Sequence, residues 1–131
     1  MSATKEKTKY INELHHEHLL WIKDLGFYKD ELNVFKRRLT EIAGMYTSKD
    51  VLAKLEHFQN QFILQKEQFD LLQHDINEQE SKIDKTVKSG NHSLNLLSLE
   101  AQQLLREKVQ SAEKIFIETK HGFFRFLSDV L

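Results

Sequence analysis

From Ile11 to Tyr46, apolar side chains recur at alternating steps of three and four residues: Ile11, Leu14, His18, Trp21, Leu25, Tyr28, Leu32, Phe35, Leu39, Ile42 and Tyr46. Ten of these eleven are apolar or aromatic, where a 40% apolar composition would place about four by chance. A 3.5-residue period belongs to a helix that buries one seam against other helices, and a strand with its period of two cannot produce it. Gly26 falls on an outward position and the phase runs on through it. It is a weak point of about 1 kcal/mol and no boundary.

The pattern returns twice. Val51, Leu55, Phe58, Phe62, Gln65, Phe69, Leu72, Ile76, Gln79 and Ile83 form a second seam. Leu97, Ala101, Leu105, Val109, Ala112, Phe116, Thr119, Phe123, Phe126 and Val130 form a looser third one. Gly44 and Gly90 are suited to the left-handed conformation that closes a helix. Thr47 with Asp50, and Asn91 or Ser93, are suited to cap the helix that follows. The expected architecture is all-α: helices at about 6–43, 48–89 and 94–130 in one bundle domain over residues 1–131. The turns are short, so the order is up-down-up, with antiparallel neighbours packed in coiled-coil fashion.

Short turns also set which residues share a level. Folding back at 45–46 and at 91–92 places Trp21 beside Phe69 and Ala112, and Phe35 beside Phe58 and Phe126. Phe62 and Phe123 then join an aromatic cluster. Gln65 falls beside Tyr28 and Thr119, a small polar layer.

Composition narrows the functional classes. Cysteine is absent, which rules out disulfides, thiolate metal sites and a cysteine nucleophile. The net charge is −1 with the signs interspersed, so no basic patch for nucleic acid or an anionic membrane is expected. No apolar run approaches the roughly 20 residues of a membrane span. Met1–Lys7 is polar and lacks the apolar core of a secretory signal. The expected compartment is the cytoplasm. The serines lie in turns, at helix ends or on polar faces, and there is no Gly-rich phosphate loop. No catalytic constellation and no cofactor are therefore expected.

Two features remain. The first is a run of imidazoles and carboxylates, Glu13-Leu14-His15-His16-Glu17-His18. Glu13 with His16, and Glu118 with His121, reproduce the Glu-x-x-His spacing of di-iron bundles. Glu13, His16 and His121 fall on outward positions, however, and helix 2 offers no inward glutamate. A surface metal site is the remaining metal reading: His15 and His18 share a face, with His74 and Asp75 expected near their level. His18 itself sits on the seam, where a core histidine bonded to a glutamate is the favoured reading.

The second feature is surplus apolarity. Leu20, Phe27 and Val34 lie seven apart outside the helix 1 seam, and Ile63 and Leu71 lie outside that of helix 2. Stripes of this kind meet a partner. The function expected is a non-enzymatic interaction or assembly module, pairing with itself as a homodimer or with another helical protein. A metal-binding bundle is the alternative. A competing geometry has helix 1 rotated, so that the stripe lies inside a wider core. A membrane-surface segment at Gly122–Leu127 is disfavoured by its single arginine.

Overall fold

The computed structural model describes residues 2–90 and 96–131, and the side chains of 10–90 and 98–131. Three helices make up the fold: α1 (Ser2–Ala43), α2 (Lys49–Lys88) and α3 (Leu96–Val130). No strand occurs among the described residues. At 1.5 Å per residue the helices are roughly 50–65 Å long. α1 starts earlier than its seam, since no glycine or proline stands in its polar first turns.

The two turns are built differently. Gly90 takes a φ of +78°, as its place after α2 leads one to expect, and its N–H donates to the Val87 carbonyl at 3.0 Å. Gly44 does not become left-handed. There the chain leaves α1 through a tight turn, Met45 N–H to Ile42 carbonyl at 2.9 Å. Ser48, not Thr47, is the N-cap of α2. Its backbone is extended, and its side chain makes no capping bond. The expected caps Asn91 and Ser93 lie outside the described residues.

The α1 seam is buried as its spacing requires, with Tyr28 and Tyr46 half-buried. Leu20, Phe27 and Val34 are 47, 61 and 51% exposed, so α1 is not rotated to bring them inside. The α2–α3 levels also agree with a fold-back at 91–92: Phe69 meets Phe116 at 5.7 Å and Phe62 meets Phe123 at 5.2 Å. Phe123 and Phe126 are buried in this core, which removes them from any membrane-facing surface.

The α1–α2 levels differ from expectation. Tyr28, not Trp21, faces Phe69 at 5.7 Å, and Phe35 faces Phe62 at 5.6 Å. These pairs place α2 about six residues, roughly 9 Å, from where a fold-back at 45–46 would put it. The cause is the connection itself. Residues 44–48 run partly along the bundle axis, through the extended Ser48, instead of crossing straight over. The Tyr46 hydroxyl donates to the Val130 carbonyl and ties this connection to the end of α3. Trp21 is buried in the main core and stands 5.6 Å from the His18 ring.

Gln65 finds Thr119, with its amide nitrogen donating at 2.7 Å, while its carbonyl oxygen is buried without a partner. Tyr28 belongs elsewhere and pairs with Glu113. On α3, Ala101 is exposed and Gln102 takes the buried place. The partners of Gln102 explain this exchange.

Candidate functional site

Beyond Trp21 the apolar core gives way to a polar junction among all three helices. Glu17 of α1 accepts two bonds from Arg106 of α3, at 2.9 and 2.7 Å. The same carboxylate accepts the Gln102 amide nitrogen at 2.8 Å. A carboxylate accepts only, so the Gln102 amide has one orientation and its oxygen faces His18 Nε2 at 2.8 Å. His18 Nδ1 meets Glu80 of α2 at 2.5 Å, and His15 Nδ1 bonds the other oxygen of that carboxylate. Both ring nitrogens of His18 thus face oxygen acceptors, although the side chain is 1% exposed.

Burial works to raise the Glu80 carboxyl, but the bonds from His18 and His15 outweigh it and hold Glu80 below the usual carboxylate range. Glu17 is held low in the same way, with the Arg106 and Gln102 bonds prevailing over burial. Past this junction lies a separate small cluster of Ile11, Leu14 and Ile83, with Val87 packed against it. The junction therefore spans α1, α2 and α3 where the main core ends, and its directional bonds fix their relative register.

The residues that sequence suggested for a metal are only partly brought together. His15 and His18 share Glu80, each through a direct bond between nitrogen and oxygen. His74 lies elsewhere on α2, exposed and 3.2 Å from Glu78, and Asp75 lines a groove with Lys82 and Lys108. Glu13, His16, Glu118 and His121 are all exposed. Among the described residues, no three histidine or acidic side chains converge on a possible ion position. Glu80 misses the helix 2 seam, so the spacing alone does not mark it. Gln102 was legible: counting back three residues from Leu105 along the period gives Gln102 and not Ala101.

The uncovered apolar side chains fall on different sides. Leu20, Phe27 and Val34 run along α1. Phe124 of α3 is also exposed, and its ring meets Phe35 edge-on at 5.6 Å, so α3 adds apolar surface on that side. Ile63 lies in a groove between α1 and α2 with Leu39 and Lys36. Leu64, Leu104 and Ile115 flank an open groove of about 510 Å³ between α2 and α3, floored by Phe69 and Ala112. Leu71, seven residues on from Leu64, continues that side of α2 and is exposed. Leu20, Phe27, Val34, Ile63 and Leu71, the residues expected to meet a partner, are thus all exposed but divided between faces.

No helix among the described residues is long and apolar enough to cross a membrane. No protein-family model, curated protein or solved structure matches the chain.

Proposed function

We propose that this protein is a non-enzymatic helical assembly module that covers the outer face of α1 by pairing with a second copy of itself. The observation that carries this reading is the line of Leu20, Phe27 and Val34, each about half exposed. The line is about 21 Å long and centred on Phe27. An antiparallel pair of α1 helices crossing at Phe27 sets Leu20 of one copy against Val34 of the other, and the contact closes on itself with two-fold symmetry. Phe124 borders the line and widens the apolar area available to cover. The expected setting is the cytoplasm, which a cysteine-free chain suits. Neither nucleic acid nor a cofactor has a part in this reading.

The test is the mass in solution of the wild type and of a Leu20→Gln, Phe27→Gln, Val34→Thr variant. The expected result is a dimer that becomes a folded monomer. A wild type that stays monomeric at every accessible concentration refutes the proposal. Association with other helical proteins, through the groove between α2 and α3, is what a pull-down with that monomeric variant would then detect.

A further inference from the structure

At the end of the bundle near the first turn, the early turns of α2 and the last turns of α3 form a pocket of about 300 Å³. Phe58 and Phe126 make its aromatic wall, with ring centroids 5.4 Å apart. Lys54 and His57 stand on the α2 side and Arg125 on the α3 side. Gly122 keeps the space between them open. A Cβ at that position would stand 3.8 Å from both the Phe58 ring and the Arg125 guanidinium.

The cations of this pocket differ from those that tie the helices to one another. Lys29 reaches Asp70 at 3.1 Å, Arg106 reaches Glu17 at 2.7 Å and Lys120 reaches Glu31 at 2.6 Å, each across two helices. Among the described residues, Lys54, His57 and Arg125 have no hydrogen-bond or ion-pair partner. One carboxylate, Asp129, lies on the rim and is paired with none of them. Three unpaired nitrogen donors around an aromatic wall complement an acidic group attached to a flat apolar body. Arginine suits the acid because its planar fork matches carboxylate or phosphate oxygens, while lysine adds a mobile point charge.

We propose that this pocket binds a small organic anion, a phosphate or carboxylate carried on an aromatic ring. Arg125 and Lys54 hold the acid, and the half-buried Phe58 takes the ring, with the buried Phe126 backing it. The volume suits a single-ring compound, at the small end of ligand pockets. Asp129 opposes the anion and keeps the affinity modest. The pocket lies between α2 and α3 and takes no residue from α1, so it is tested separately from self-association.

The test is titration of the ¹⁵N-labelled full chain with phenyl phosphate, and separately with inorganic phosphate, followed by amide shifts. The expected result is a saturable shift at Gly122 and His57 that is tighter for phenyl phosphate and weakens with salt. Arg125→Gln should weaken binding about tenfold, the usual worth of a charge-assisted bond. Asp129→Asn should tighten it by about two- to fivefold, as removal of an exposed like charge does. Both side chains are exposed, so both variants are expected to fold, and circular dichroism checks this. The proposal is overturned by the absence of a saturable shift at Gly122. It is equally overturned if inorganic phosphate binds as tightly as phenyl phosphate, or if the two substitutions change affinity in the same direction.

Discussion

Phe35→Ala and Phe27→Ala, eight residues apart on α1, separate buried from exposed aromatic surface on one helix. Phe35 is buried, with Phe62, Phe123 and Phe124 at ring distances of 5.6, 5.3 and 5.6 Å. Returning most of a phenyl ring's area to water costs about 2–3 kcal/mol. Each lost edge-on or tilted ring pair adds roughly 0.5–1.5 kcal/mol. Neighbouring rings relax partly into the space, so the total falls at about 3–5 kcal/mol, the range for emptying a phenylalanine site. Phe27 has one ring neighbour, Tyr28 at 6.3 Å, and is mostly exposed. In dilute solution its truncation should change stability by only about 0.5 kcal/mol or less. Urea unfolding followed at the helical circular-dichroism band measures both. At higher concentration the Phe27→Ala cost should grow, because a paired α1 face adds its association energy to stability. Equal costs for the two substitutions in dilute solution would refute the assigned phase of α1 and the dimer face drawn from it.

Three further outcomes follow from the same structure. Gln65→Leu should be neutral or slightly stabilising, since it removes a buried oxygen without a partner and Thr119 keeps its bond to the Ile115 carbonyl at 2.9 Å; Gln102→Leu should cost about 1–3 kcal/mol by stripping His18 and Glu17 of a partner, as thermal unfolding of the pair will measure. Burial and the nearby Glu113, Asp24 and Glu31 push the Tyr28 hydroxyl up to about 12, so one of the three tyrosines should ionise late in an ultraviolet titration; the folded state holds that proton longer, and its contribution to stability is intact below about pH 10 and lost as pH rises through 12. Gly26→Ala should stabilise by about 0.5–1 kcal/mol, because the new methyl meets nothing within 4 Å in a helix interior, while Gly90→Ala should cost roughly 1–2 kcal/mol at its φ of +78°; melting temperatures of the two variants should move in opposite directions.

The helices and their buried faces were legible because a 3.5-residue seam needs only local spacing. Leu25, Leu32 and Ile42 lie where that spacing puts them. The register between α1 and α2 was not legible. It depends on the path of residues 44–48, and the same five residues can cross straight over or climb along the axis. That difference separated Trp21 from Phe69. The polar junction was half legible. His18 announced itself as the one polar residue on an apolar seam. Glu80 did not, because a position flanking the seam is exposed on an isolated helix and becomes a partner only once another helix stands beside it.

Whether the outer face of α1 is an assembly surface is decided by the mass of the protein in solution. Light scattering coupled to size-exclusion chromatography tests it most directly. A dimer through this face has a wild-type mass of twice the 15.5 kDa chain. The Leu20→Gln, Phe27→Gln, Val34→Thr variant is expected at one chain mass with unchanged helicity. A wild type of one chain mass, or a triple variant that stays dimeric, contradicts it.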